Sequence, residues 1–313
     1  MIGYLFRRLL ATAGVLLGIS ALAFGLSALA PGDPAEILLV MRMEGSTPSK
    51  AAIESFRHEL GLSQPAPLRY TRWLARTAQG DLGTSYRSGR PVAAEIAARL
   101  PATLALAASS MALAALVGVP LGVLAAIQRG GVIDRAGLAL ATLGASMPSY
   151  LLALLLVLLF AAALGWLPAF GYGTPRHMVL PSVALAAGVA TTVLRLVRAS
   201  MLEALRQDYV RLARAKGLAE WRVVGGHVLR NAAAPIITAL AMSAGRLLSG
   251  AVVVERIFAW PGVGRYAVDA ISARDYPVIQ GVMVYMAAIF ALVNLLADLL
   301  CGWLDPRITD RQA

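Results

Sequence analysis

The chain has 313 residues, of which 58% are hydrophobic and 14% charged, with a formal net charge of +11 and a mean hydropathy of +0.70. A water-soluble domain carries nearer a quarter of charged residues, so this composition describes an integral membrane protein. The basic excess does not indicate nucleic acid, because Lys and Arg fall in short stretches between apolar runs without aromatic interleaving. Retention of these stretches on the inner membrane leaflet accounts for them. The single cysteine, Cys301, cannot form an internal disulfide and leaves the redox compartment open.

In chain order, Arg7 and Arg8 precede an uncharged run from Leu9 to Ala30, long enough to span a bilayer. The run is too long for a signal-peptide core and Pro31 follows it, so an uncleaved first span is expected, its amino end inside. Residues 31–99 form the one sizeable polar segment, with nine basic and seven acidic residues. Within it, Pro31-Gly32-Asp33-Pro34 reads as a helix terminator, Ser49 to Leu60 as an amphipathic helix, and Gly80-Asp81-Leu82-Gly83 and Ser88-Gly89-Arg90-Pro91 as turns. A segment of this length escapes the charge rule, and a small external cap is expected here.

Leu100 to Gln128 spans inward to a turn at residues 129–135. The uncharged run Ala136 to Pro175 suits one span ending near Ala163, bent at Met147-Pro148, followed by an external segment 165–175. Two spans there would put the most basic loop outside. Met178 to Leu194, Ala232 to Val254 and Tyr276 to Ala297 complete six spans with both ends cytoplasmic. The organisation read from this pattern is a tail and first span at 1–30, a cap at 31–99, a five-helix core at 100–303 with a basic loop at 195–231, and a cytoplasmic tail at 304–313.

That basic loop holds eight Arg and Lys residues against three acids. Tyr209 to Lys216 alternates apolar and basic residues at helical spacing, Gly217 reads as a stop, and Ala219 to Leu229 as a second short helix, so that two short helices at a right angle would form a protruding knob. Binding of anionic lipid headgroups is an equally simple reading of such a loop.

No enzymatic constellation is visible. His58, His177 and His227 are too scattered for a metal site, no Ser/His/Asp set is suggested, and no GxxxxGK[ST] phosphate loop is present. The chain is expected to have no ATPase site and no cofactor of its own. Arg246, mid-span in an apolar run, is costly unless it faces the bundle interior or water, which makes it a candidate for a translocation path together with Met147 and Pro148. A structural partnership with Asp298, or snorkelling, would explain Arg246 as well. Glu255, Arg256, Asn294 and Asp298 read as headgroup contacts at helix ends.

Several motifs carry a resemblance. Tyr209-Val210-Arg211-Leu212-Ala213-Arg214-Ala215-Lys216-Gly217-Leu218, then His227-Val228-Leu229-Arg230-Asn231-Ala232 and Pro235, resembles the coupling loop of membrane permeases in the peptide/nickel group of ABC importers. So do Ala30-Pro31-Gly32-Asp33-Pro34, Gly80-Asp81-Leu82-Gly83-Thr84-Ser85, Leu100-Pro101-Ala102-Thr103-Leu104, Ser146-Met147-Pro148, Leu180-Pro181-Ser182, Ile257-Phe258-Ala259-Trp260-Pro261-Gly262-Val263-Gly264, Arg274-Asp275-Tyr276-Pro277 and Leu304-Asp305-Pro306-Arg307, in the family's order. One departure is that Arg211, Leu212 and Ala213 stand where the general importer pattern has Glu-Ala-Ala.

The resemblance implies an all-α permease fold in a bacterial inner membrane, a second homologous permease subunit, two cytoplasmic ATPase subunits or domains that bind ATP and Mg, and an external solute-binding protein. It assigns ATPase coupling to Tyr209, Arg211, Ala213, Arg214, Lys216, Gly217, His227, Arg230 and Asn231. For cargo, the segments Leu167 to Gly173 and Phe258 to Val268 favour nickel or a metal chelate, with di- or oligopeptides as the alternative. An ion-coupled secondary transporter is the rival of another class, although inverted repeats and paired midplane acids are not evident.

Overall fold

The computed structural model describes residues 2–29, 32–43, 48–59 and 61–304. Met1, Ala30, Pro31 and the tail 305–313 lie outside the described residues, as do the motifs that fall on them. Among the described residues the chain is almost wholly helical, with α1 (Ile2–Leu29), α2 (Pro34–Arg42), α3 (Lys50–Glu59), α4 (Ala66–Ala78), α5 (Val92–Ile127), α6 (Val132–Ser146), α7 (Ser149–Leu156), α8 (Pro175–Leu205), α9 (Asp208–Ala215), α10 (Glu220–Arg222), α11 (Leu229–Ile257), α12 (Val263–Ala273) and α13 (Tyr276–Leu304). Five stretches are long and apolar enough to cross a membrane: Arg7–Leu29, Val92–Ile127, Pro175–Leu205, Glu220–Ile257 and Tyr276–Leu299. A sixth crossing exists if α6 and the helix 149–163 count as one broken span.

The break between α6 and α7 is sharper than the expected kink. The two helices meet at 104°, and Met147 is extended at φ −94°, ψ 118°. Proline disfavours the helical conformation in the residue before it, and while α5, α8 and α11 continue through their internal prolines, here Met147 takes the extended conformation and α6 ends at Ser146. Two further expectations shift. The turn after the second span is shorter than 129–135, because α6 begins at Val132. Asp33-Pro34 opens a helix: the Asp33 carboxylate accepts the Ala35 N–H at 3.1 Å, with Pro34 in the first turn.

The chain divides into two compact units. In the larger, which contains residues 101–265 and 290–313, α8 packs against α6, α7 and α11. Its small residues set the approach of α5. A Cβ on Gly118 would sit 2.8 Å from the Ala190 carbonyl oxygen, and one on Gly122 would sit 2.7 Å from Val197 Cβ. With no side chain at either position, α5 and α8 meet backbone to backbone, the device that substitutes for hydrophobic drive within a bilayer. By contrast, nothing lies within 4 Å of a Cβ on Gly14 or Gly18. At one end of α6, Arg198 donates to both carboxylate oxygens of buried Asp134 at 2.5 and 2.8 Å, and the Gly130 N–H adds a bond of 2.8 Å. This fork ties α8 to α6.

The second unit contains residues 5–100 and 266–289. Ala35, Leu38 and Phe56 make a small core between α2 and α3. Phe24 of α1 meets Tyr70 and Trp73 of α4 at ring distances of 5.5 and 5.9 Å, and Ser20 shares a hydrogen bond of 2.8 Å with Tyr70. Gly281 lies so close to Val92 that a Cβ would stand 2.8 Å from it.

Substituting Gly122→Leu is expected to destabilise the detergent-purified protein by about 1–3 kcal/mol through overpacking against α8, read as a lower Tm in tryptophan fluorescence. Gly14→Leu is expected to leave that Tm unchanged.

Candidate functional site

The basic loop folds as one short helix and the root of a long one. α9 turns Val210 and Ala213 into the core, leaving Arg211, Leu212 and Arg214 exposed. It ends in a Schellman motif, in which the Leu218 N–H reaches the Ala213 carbonyl at 3.3 Å and the Gly217 N–H reaches the Arg214 carbonyl at 2.9 Å. Gly217 sits at φ +75°, a conformation glycine adopts without strain. The second short helix expected at 219–229 is instead the beginning of the span. α10 passes through a π-helical segment, Val223–Val228, directly into α11. Burial of Val223, Val224 and Val228 explains this, since their apolar face continues that of α11.

Two features redistribute the roles expected of this loop. Arg214 forks onto Glu220 at 3.1 and 2.6 Å; its guanidinium closes the α9–α10 turn, and the carboxylate beside it raises its pKa above the ordinary value. Arg211 and Lys216 remain exposed. The sequence reading also passed over Trp221, which is 71% exposed, as Leu212 is at 57%, with the Arg222 guanidinium 5.0 Å from the centre of the indole ring. A tryptophan presented to water on a charged loop was a legible signal of a partner surface. His227 and Arg230 are exposed, and the exposed Asn231 side chain bonds back to the His227 carbonyl at 2.9 Å. Tyr209 is half-buried, and beneath it a cavity of about 270 Å³ is lined by Ser200, Glu203, Gln207, Asn231 and Pro235.

Of the residues proposed for a pathway, Arg246 lies on α11, while Met147 and Pro148 lie between α6 and α7. Met147 and Pro148 mark the break before α7, and exposed Arg246 on α11 donates to the Ser243 hydroxyl at 2.9 Å.

The structure corrects the reading of Glu255 as a headgroup contact. Glu255 is fully buried and accepts from Thr103 Oγ1 at 2.7 Å and from the Arg265 N–H at 3.0 Å. Thr103 Oγ1 in turn accepts from the Val263 N–H at 2.9 Å, and Trp260 Nε1 donates to the Ala102 carbonyl at 2.9 Å. The glycines of Trp260-Pro261-Gly262-Val263-Gly264 are explained by this carboxylate, because a Cβ on Gly262 would fall 2.2 Å from it and one on Gly264 2.6 Å from Val252 Cα. Asp275 plays a comparable part in the other unit. Buried, it accepts from Ser85 Oγ at 2.6 Å and from the Tyr86 and Arg87 N–H groups at 3.0 and 3.2 Å, which pairs the Arg274-Asp275-Tyr276-Pro277 and Gly83-Thr84-Ser85 motifs.

With this geometry in hand, comparison with known proteins is decisive. Residues 118–310 match the family described as the binding-protein-dependent transport system inner membrane component, and residues 1–107 match its N-terminal component. The chain belongs to this family. It is 43% identical over 308 residues to the glutathione transport system permease protein GsiC of Pectobacterium atrosepticum, covering 98% of this chain and 99% of the relative. It is 38% identical over 336 residues to the dipeptide transport system permease protein DppB of Alkalihalophilus pseudofirmus, with the same coverage. An inward-facing structure of the MetNI methionine ABC transporter shares the fold at TM-score 0.57 and 20% identity, covering 67% of this chain and 96% of that one. The protein is therefore a multi-pass inner-membrane permease of a binding-protein-dependent ABC importer, and the secondary-transporter reading is set aside.

Removing the Asp275 carboxylate should release the loop it holds. Asp275→Ala is expected to increase tryptic cleavage after Arg87 in the membrane-embedded protein, with intact chain and fragments followed on gels.

Proposed function

We propose that this permease carries short peptides, of the dipeptide or glutathione class, into the cell. The preference for nickel gives way to the peptide alternative, because relatives that align with essentially the whole chain are named for glutathione and dipeptide transport.

The observation that carries the coupling role is the exposed face of α9 and α10. Leu212 and Trp221 supply apolar area, Arg211 and Lys216 supply charge, and the Arg214–Glu220 fork and the Schellman turn hold them in one shape. A preformed, mixed apolar and basic knob suits a groove with an acidic rim on a cytoplasmic ATPase. In this reading two such ATPases bind ATP and Mg, a second permease completes the pathway, and an external binding protein delivers the peptide. Residues 31–99 face outward. Closure of the ATPases moves α9, and the helix bundles alternate between inward-open and outward-open states. Met147, Pro148 and Arg246 remain candidates for the path.

The test has two arms. Cells lacking this subunit are expected to lose uptake of a labelled dipeptide or of labelled glutathione while retaining uptake of radioactive nickel; loss of nickel uptake alone would overturn the peptide reading. Trp221→Ala is expected to weaken retention of the ATPase on the affinity-tagged permease by about tenfold or more, as for a central aromatic anchor. Arg214→Glu, which puts a second acid beside Glu220, is expected to weaken it as well.

A further inference from the structure

The helix that begins in the coupling loop ends on Glu255. From Glu220 through the π-helical segment to Ile257 the backbone is helical without a break, and from Leu229 to Glu255 it advances about 40 Å at 1.5 Å per residue. At its far end the Glu255 carboxylate is fastened to two elements at once. Thr103 Oγ1 joins it to α5, and the Arg265 N–H joins it to the segment 258–265, a loop whose last three residues form the first turn of α12. The loop has no slack: Ala259 is held at φ +53°, Arg265 Nη1 donates to the Ala259 carbonyl at 2.7 Å, and Gly262 and Gly264 are packed against the carboxylate and Val252. A further segment joins the same node, since the Gly171 N–H donates to the Phe258 carbonyl at 3.0 Å and Tyr172 stands edge-on to Trp260 at 4.7 Å.

We infer that Glu255 is a positioning residue for transport: it makes the far-end loop 258–265 and the adjoining segment at 171–172 move with α11, so that displacement of the coupling knob is delivered to the opposite end of the permease. The inference rests on the proposed coupling role of α9 and α10. Its physical basis is the choice of fastening. Apolar packing between a helix end and a loop allows sliding, whereas a buried carboxylate loses its donors if it slips by an ångström or two, and within a water-poor bundle no solvent replaces them. A helix tied in this way passes on displacement instead of absorbing it. The same groups also explain why the loop carries glycine at 262 and 264, where any side chain would displace the carboxylate.

Glu255→Gln tests the relay with little change of volume. One amide oxygen can still accept from Thr103, but the NH₂ group then confronts the Arg265 N–H, donor against donor. Thr103→Val removes the hydroxyl and leaves the carboxylate in place, and Thr103→Ser restores it. Each variant is examined in the whole transporter, purified with its partner subunits from native membranes, reconstituted in liposomes and supplied with binding protein and a labelled dipeptide or labelled glutathione. Three quantities are read: ATPase retained on the tagged permease, ATP hydrolysis stimulated by cargo-loaded binding protein, and cargo taken up per ATP. Glu255→Gln and Thr103→Val are expected to retain the ATPase and its stimulated hydrolysis while uptake per ATP falls about tenfold, within the usual range for coupling between sites; Thr103→Ser is expected to keep the wild-type ratio. The relay is overturned if uptake and hydrolysis fall in parallel with the amount of assembled complex, which would make Glu255 a folding residue, or if uptake per ATP is unchanged. Failure of the wild-type protein to retain an ATPase would instead overturn the coupling reading, independently of these variants.

Discussion

A carboxylate without donors is not tolerated inside an apolar bundle, and much of this permease is arranged around that constraint. Glu255 takes its donors from a threonine on α5 and from a backbone amide at the start of α12, and the intervening loop has the path that these bonds permit. Asp134 and Asp275 repeat the solution elsewhere. One is forked by Arg198 and reached by Gly130, the other is held by a serine hydroxyl and two backbone amides. Water makes such pairing optional at a protein surface, and these three carboxylates are buried, where it does not.

The family's motifs acquire separate physical meanings in this light. Trp260-Pro261-Gly262-Val263-Gly264 is a loop shaped to enclose a carboxylate five to nine residues before it, with a tryptophan locking it to α5. Leu100-Pro101-Ala102-Thr103 supplies the acceptor for that tryptophan and the hydroxyl for Glu255. Arg274-Asp275-Tyr276-Pro277 and Gly83-Thr84-Ser85, nearly two hundred residues apart, are two halves of one hydrogen-bonded knot. Recognition of these motifs identifies a family, but their bonds explain why the residues recur together.

In the basic loop proposed for coupling, the same economy of polar groups separates scaffold from surface. Arg214 and Gly217 build the turn, one by pairing with Glu220 and the other by its left-handed backbone. Arg211, Lys216, Leu212 and Trp221 remain exposed.

Composition, spacing and motifs alone carried the membrane class, the apolar stretches that became the spanning helices, the short helix read at 209–216 with its glycine stop, which folds as Asp208–Ala215, and the family. Each rests on local composition or spacing, and helix formation in an apolar environment is a local matter because every backbone bond closes within four residues. The structure was needed to see that α6 ends before Pro148 while α5, α8 and α11 continue through their prolines, and that residues 219–229 are the root of α11. It alone revealed that Glu255 is buried, that Gly118 and Gly122 face α8 while Gly14 and Gly18 face open space, and that Arg214 is already paired. The burial of Glu255 and the facing of Gly118 and Gly122 depend on neighbours remote in sequence: Thr103 lies 152 positions from Glu255, and no periodicity records which distant hydroxyl will meet a carboxylate. The pairing is set by how the helices pack.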